Sequence, residues 1–184
     1  MSSFAIKGGK KLKGEIIPQG AKNEALQIIS AVLLTSEKVT IHNIPNIRDV
    51  VKLIDLVQSI GVQVDKLSES SYAFTAQKIN FDYLQSQEYR EKSTSLRGSI
   101  MMIGPLLARF GEGYIPKPGG DKIGRRRVDT HFIGFEKLGA KFEFSHKDNS
   151  YKVKGKKLKG ASMLLDEASV TGTANIIMAA VLAQ

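Results

Sequence analysis

The pentapeptide KKLKG occurs twice, at Lys10–Gly14 and at Lys156–Gly160, and each copy is followed by an extended apolar segment and then a helical pattern. The first of these helices reads AKNEALQIISAVLLTS and the later one TANIIMAAVLAQ, with a third relative, SLRGSIMMIGPLLARFG, between them. Their paired apolar ends, Leu33-Leu34, Leu106-Leu107 and Val181-Leu182, recur at roughly 75 residues, the self-similarity of a fold built from repeated units.

A second kind of helix repeats as well. RDVVKLIDLVQSIGVQVD places Val50, Leu53, Ile54 and Val57 at helical spacing, with Gly61 just past the end as a C′ residue. Its relative, RVDTHFIGFEKLGAKFEF, ends at Gly139. Strand-like runs follow both: Val62–Val64 with Tyr72–Thr75, and Lys141–Phe144 with Tyr151–Val153, the latter pair joined by the turn residues Lys147–Ser150. Each unit therefore predicts strand, helix, strand, helix and a strand pair, an α/β (α+β) architecture. Two units are nearly complete and the third stops at Gln184, after its first helix. Ending inside an apolar helix, with no linker composition anywhere, predicts that the chain is part of something longer.

At 42% hydrophobic residues over 184 positions there is enough apolar material for one real core. The absence of cysteine excludes a disulfide framework, a thiolate metal site and a cysteine nucleophile. MSSFAIKGGKKLKG has no apolar h-region, and runs such as Ile176–Ala183 are too short to span a bilayer, so a soluble protein is expected. The net charge of +9 reads in two ways: scattered lysines on a solvated surface, or an anionic partner. Most lysines fit the first reading, whereas Arg125-Arg126-Arg127 follows a glycine-rich turn and precedes a predicted helix.

The loop Lys117–His131, KPGGDKIGRRRVDTH, gathers a carboxylate, Asp121, and three guanidinium groups behind flexible glycines. Arginine forks match phosphate oxygens in pairs, which makes the loop a phosphate-binding candidate; its plain alternative is a solvated loop. Lys22 and Asn23 stand where the first helix should open. A helix N-terminus draws anions, and a lysine there works against the helix dipole, a placement that suits an anionic ligand, although a surface lysine is the local alternative. Arg97 occupies the corresponding position in the second unit, behind Ser93-Thr94-Ser95, which offer themselves as N-caps. The third helix opens at Thr173-Ala174-Asn175 with small and polar residues. Symmetry predicts that the three openings share one face. His42, His131 and His146 lack metal-ligand spacing, and no Walker, GxSxG or GxGxxG sequence and no RNA-reader aromatic signature is present.

Four blocks, GAKNEALQIISAVLLTSEKVTIHNIPNIRDV, LRGSIMMIGPLLARFG, PGGDKIGRRRVDTHFIGFEKLGA and ASVTGTANIIMAAVLA, closely resemble the opening part of the UDP-N-acetylglucosamine 1-carboxyvinyltransferases, a branch of the enolpyruvyl transferases, in the right order and over nearly the whole chain. The resemblance implies an inside-out α/β barrel of pseudo-threefold repeats, helices inside and sheets outside. It assigns residues 1–20 to a strand segment belonging to the family's second domain and 21–184 to most of the first, the third unit being incomplete. The implied reaction moves the enolpyruvyl group of phosphoenolpyruvate to the 3-hydroxyl of UDP-N-acetylglucosamine and releases phosphate, by addition and then elimination, as a cytoplasmic step of peptidoglycan precursor synthesis. No metal or organic cofactor is implied, and neither a nucleic acid nor a membrane is an expected partner.

Residue by residue, the resemblance implies that Lys22, Arg97 and Arg126 are the cations around phosphoenolpyruvate and that Asn23 contacts substrate beside Lys22. Asp121 takes the proton-donor position at which most of the family carries cysteine. It further assigns Arg126, Val128, Asp129 and Thr130 to the uridine, and Ser169, Val170 and Thr171 to the diphosphate. The chain departs from the family at several of these places: Arg127 replaces a proline, Thr130 a leucine and Thr171 a glycine, with Glu167 where some members have lysine. Two other readings remain on sequence grounds, a basic nucleic-acid-binding domain and a non-catalytic interaction module derived from the enzyme. An exposed apolar helix face in the incomplete third unit would also allow self-association.

Overall fold

The computed structural model of the protein describes residues 3–119 and 127–184. Its elements come in two sets with the same plan. In the first, α1 (Lys22–Ala31) runs into a short 3-10 turn, β1 (Lys38–Ile41) follows, then α2 (Arg48–Ser59), and the hairpin β2 (Gln63–Ser68) and β3 (Ser71–Thr75) closes the set. In the second, α3 (Gln87–Thr94) and a 3-10 stretch, Arg97–Met102, lead into α4 (Ile103–Phe110). After α4 come β4 (Glu112–Pro116), α5 (Asp129–Lys137) and the hairpin β5 (Lys141–Ser145) and β6 (Ser150–Lys154). The helix α6 (Val170–Ala180) opens a third set. The sheets are both antiparallel with orders β1-β3-β2 and β4-β6-β5, so the last strand of each unit lies in the middle and the topology repeats.

The sequence explains these elements. Gly61 and Gly139 end α2 and α5 at φ of 108° and 91°, the left-handed conformation expected of a C′ glycine. In α2, Val50, Leu53, Leu56 and Val57 are buried while its charged residues face outward, the pattern of a helix laid on a core. In α4, Ile103, Gly104, Pro105, Leu106 and Leu107 are all buried, as befits a helix at the centre rather than on the surface. The outer faces of the strands stay partly exposed, so helices occupy the inside and sheets the outside.

Four expectations need correction. Ser93, Thr94 and Ser95 do not cap the helix that follows them. They close α3, their hydroxyls donating back to the carbonyls of Tyr89, Arg90 and Lys92 at 2.8, 2.7 and 2.8 Å. The stretch from Arg97 is not one helix, because Pro105 has no N–H to offer to residue 101 and sits where a first α-turn needs none. The third unit's helix begins at Val170 with Ser169 as its N-cap, so Asn175 lies in its interior. The extended segments ahead of α1 and α6 are not strands; Phe4, Ile6, Leu12, Ile16 and Ile17 are exposed.

Arg109 and Asn175 are two of the side chains that tie the units together. Arg109, at the end of α4, donates from Nη1 to the carbonyls of Leu33 and Thr35 at 3.2 and 2.8 Å and to that of Ala76, so the second unit satisfies carbonyls left over in the first. Asn175, fully buried in α6, accepts the Gly104 N–H on Oδ1 at 2.9 Å and donates from Nδ2 to the Ile100 carbonyl at 2.9 Å. The helices touch here: a Cβ on Gly104 would overlap Asn175, and one on Gly134 would overlap Ile176. No helix among the described residues is long and apolar enough to cross a membrane. On the open side of α6, Val170 and Ile177 are exposed.

Replacing Asn175 with leucine would strand the buried Gly104 N–H on α4 and the buried His131 Nδ1, and would leave the Ile100 carbonyl with the Ile103 N–H alone. The expected loss is about 3 kcal/mol of unfolding free energy, read from the urea midpoint at constant slope. A change below about 1 kcal/mol would mean that the node carries no such weight.

Candidate functional site

The opening of α1 has no side-chain cap: Ala21 precedes it in an extended conformation and Lys22 is its first residue. Its first amides are therefore left for water or a ligand. Lys22 reaches across to α2, where its Nζ lies 3.1 Å from Asp49 Oδ2, both groups being about half exposed. One helical turn further along α2, Lys52 donates to the carbonyl and hydroxyl of Ser95 at 3.3 and 3.2 Å, joining the first unit to the segment that carries Arg97. Arg97 starts the 3-10 stretch and donates from Nη2 to the Arg127 carbonyl at 3.2 Å. At the opening of α6 the Ser169 hydroxyl accepts the Gly172 N–H at 3.1 Å, leaving Val170 and Thr171 at the helix mouth.

These openings meet at one cleft of about 900 Å³, lined among others by Lys22, Asn23, Arg48, Arg97, Arg127 and Ser169–Thr171. Five lining residues are cations (Lys22, Arg48, Lys52, Arg97, Arg127) and two are carboxylates (Asp49, Glu167), so the described part of the cleft is built for an anion. Its walls come from α1 and α2 of the first unit, the Arg97 segment and start of α5 of the second, and the mouth of α6.

One wall is knit by ion pairs. Arg127 Nε lies 3.0 Å from Asp129 Oδ2 and its Nη2 lies 2.7 Å from Asp166 Oδ2, while Thr130 donates its hydroxyl to Asp166 Oδ1 at 2.8 Å. The Thr130 hydrogen bond and the Arg127 charge hold the Asp166 carboxyl below its ordinary range.

His131 also lines the cleft and is buried in α5. Because a backbone N–H occupies Asn175 Oδ1, the amide orientation is fixed and Nδ2 must donate to the His131 Nδ1 at 2.9 Å. His131 Nδ1 is then an acceptor and the ring proton sits on Nε2. Burial, with the Arg97 charge adding to it, lowers the imidazole to about 4, so His131 is neutral at pH 7.

Of the residues expected from sequence, Lys22, Asn23, Arg97, Ser169, Val170 and Thr171 are brought together at the cleft. Thr130 and Val128 are buried beside it, and Asp129 is held by Arg127. Asp121 and Arg126 lie outside the described residues. Sequence reasoning missed Arg48, Asp49 and Lys52, although their i, i+1, i+4 spacing beside the buried stripe of α2 puts them on one flank of that helix.

The sequence profile of the family described as EPSP synthase (3-phosphoshikimate 1-carboxyvinyltransferase) matches residues 6–184. Proteins named UDP-N-acetylglucosamine 1-carboxyvinyltransferase from Bacteroides fragilis and Bacteroides thetaiotaomicron are 59% and 57% identical over 184 residues. The match takes in 100% of this chain and 42% of each relative, so the chain spans less than half their length. Among solved structures, an EPSP synthase from Acinetobacter baumannii superposes with a TM-score of 0.70 at 16% identity, covering 96% of this chain and 40% of that one. The enolpyruvyl transferase NikO from Streptomyces tendae superposes with a TM-score of 0.63 at 18% identity, covering 82% of this chain and 32% of that one. At these identities the structural likeness speaks for the fold.

The neutral His131 makes stability depend on pH in a definite direction. Unfolded histidine titrates near ~6.5, so this contribution is complete above that pH and is lost as pH falls toward 4, by which the unfolded chain has taken up the proton. In His131→Gln the drop in unfolding free energy between pH 7 and pH 4.5 should be smaller by roughly 2–3 kcal/mol than in the unsubstituted chain. Equal drops in the two proteins would rule out a buried neutral imidazole.

Proposed function

Because this chain belongs to the EPSP synthase family of enolpyruvyl transferases, we propose that it forms the anion-binding wall of an enzyme that transfers the enolpyruvyl group of phosphoenolpyruvate to the 3-hydroxyl of UDP-N-acetylglucosamine, releasing phosphate. The family profile supports the transfer chemistry, and the relatives at 55–59% identity support the sugar nucleotide over shikimate phosphate as acceptor. The observation that carries the reading is the meeting of Lys22, Arg97 and the mouth of α6 at one cationic cleft.

The chemistry asks for such a cleft. Phosphoenolpyruvate brings a phosphate and a carboxylate, and the acceptor brings a diphosphate; lysine, arginine forks and free helix amides are the groups that hold them. In the addition step the sugar hydroxyl oxygen bonds to C2 of the enol while C3 takes a proton. In the elimination step the C–O bond to phosphate breaks and C3 gives a proton back. We assign the proton at C3 to Asp121. The assignment is supported by sequence position: Asp121 stands in the chain between Gly119, which lies against the Thr94 carbonyl, and Arg127, which lines the cleft. An aspartic acid can donate only while protonated, so this role requires its carboxyl to be raised above the ordinary ~3.9 by the anionic substrate. We place Lys22, Arg97 and Arg126 around phosphoenolpyruvate with Asn23 beside it, Arg126 and Val128–Thr130 near the uridine, and Ser169–Thr171 at the diphosphate. The remaining wall, with the base for the sugar hydroxyl, is assigned to the larger part of the relatives' length that this chain does not span, and the setting to the cytoplasm.

Five outcomes test this. Titration calorimetry at low salt should detect UDP-N-acetylglucosamine binding by the 184-residue chain, whereas its phosphate release with both substrates should stay at trace level. Joined to the remaining sequence of the Bacteroides fragilis relative, the chain should release phosphate in proportion to acceptor, and Asp121→Ala in that chimera should lower the rate by about 10²–10⁴-fold. A full rate from the isolated chain, or from the Asp121→Ala chimera, would falsify the respective assignment. Fosfomycin, an epoxide that alkylates a thiol, should leave the chimera active, and stoichiometric covalent labelling at position 121 would contradict that expectation.

A further inference from the structure

Arg127 is the point at which the second unit's part of the cleft wall meets the segment leading into α6. Its carbonyl accepts from Arg97, and its guanidinium spans Asp129 at 3.0 Å and Asp166 at 2.7 Å. Both oxygens of Asp166 are used, one by Arg127 and the other by Thr130 at 2.8 Å. Asp166 precedes Ser169, the cap of α6, by three residues, and the capped turn leans on the same threonine: a Cβ on Gly172 would come 3.0 Å from Thr130 Cγ2. Arg127 and Thr130 are also two of the positions at which the chain departs from the sequence pattern of its resemblance, and here they converge on a single carboxylate.

A carboxylate beside a cleft for anions works against binding through its charge. Asp166 adjoins Glu167, which already lines that cleft. Its place is explained if it acts on the wall rather than on the ligand. We infer that Arg127 and Asp166 are positioning residues: their ion pair, shared with Thr130, holds segment 166–171 against the start of α5 and sets the Arg127 carbonyl where Arg97 meets it. The ligand-facing groups of the second unit and of α6 then stand at a fixed separation across one anionic ligand. This rests on the reading of the cleft as the UDP-N-acetylglucosamine site.

The sign of one substitution separates positioning from charge. If Asp166 contributes charge alone, Asp166→Asn tightens UDP-N-acetylglucosamine binding, Arg127→Ala weakens it, and the double variant falls between. If the pair positions the wall, each single variant weakens binding by about 5-fold and the double variant is no weaker than either single, because the second change removes nothing further. Arg127→Lys, which keeps the charge and loses the fork, recovers only part of the affinity. Calorimetry on the 184-residue chain reads all of these. Amide hydrogen exchange gives a readout that needs no ligand: the Gly172 amide should exchange about 5-fold faster in Asp166→Asn and in Arg127→Ala, while β3 amides in the other unit stay protected and show that the fold is intact. Tighter binding in Asp166→Asn, additive effects in the double variant, or an unchanged Gly172 rate overturns the proposal. If the unsubstituted chain binds no UDP-N-acetylglucosamine, the functional reading of the cleft falls, and the exchange rates still decide whether the pair positions the wall.

Discussion

The amide of Asn175 is the interaction on which the arrangement depends. One buried side chain accepts from α4 at Gly104 and donates both to the Ile100 carbonyl and to His131 on α5, while its own backbone belongs to α6. A buried amide is favourable only when its donors and acceptor are all matched, and a matched amide admits few alternative packings of its neighbours. Three elements from two repeat sets are thereby fixed in mutual register. Gly104 and Gly134 are needed because the helix backbones must come close enough for that match. The bond from Asn175 places the proton of His131, an imidazole kept neutral by burial and the Arg97 charge, on Nε2, so an interaction made for the core also sets the hydrogen-bonding character of a cleft residue.

Repetition then turns one local solution into a site. Each unit opens its inner helix toward the same side, and cations from separate elements, Lys22, Arg48, Lys52, Arg97 and Arg127, are collected without any one element having to carry them all. Such a concentration of like charge opposes folding unless it is offset. The offsets are visible as pairs: Lys22 with Asp49, Lys52 with the Ser95 oxygens, and Arg127 with Asp129 and Asp166. The contacts of Lys22 and Lys52 are partly exposed and individually weak, so an anion would compete with them at small cost. Exposure at the cleft is therefore compatible with holding the cations in place beforehand and releasing them to a ligand.

Much of this was legible in the sequence because it follows from periodicity. The roughly 75-residue recurrence, the glycines at 61 and 139, and both hairpins sit where repeat spacing and turn chemistry put them. What failed was local chemistry with two equally good uses. Ser93, Thr94 and Ser95 look like N-caps, but the same hydroxyls can bond back to a preceding turn, and only the tertiary placement of α3 chooses between the two. Asn175 read as part of a helix opening, whereas a buried asparagine inside a helix shows itself only when partners from other elements are in view. Arg48 and Lys52 on α2 were indistinguishable from solvated residues, since an amphipathic helix places charges opposite its core face whether or not a cleft is there.

In sequence the departures from the resemblance are separate replacements at positions that the resemblance assigns to the nucleotide. In three dimensions two of them are one change. An arginine at 127 placed beside the cleft with no carboxylate in reach would add a mobile cation, and a threonine at 130, buried as it is, would need an acceptor. Asp166 answers both, one oxygen each, and it does so from the short segment that leads into the cap of α6. The neighbour Asp129 takes only the Nε of Arg127, and the carboxylate that Arg127 and Thr130 share is more than thirty positions away. The unit of explanation at this wall is therefore the three-residue junction. A substitution at any of its members should be judged by whether the other two remain satisfied, not by how far the single position strays from a common pattern.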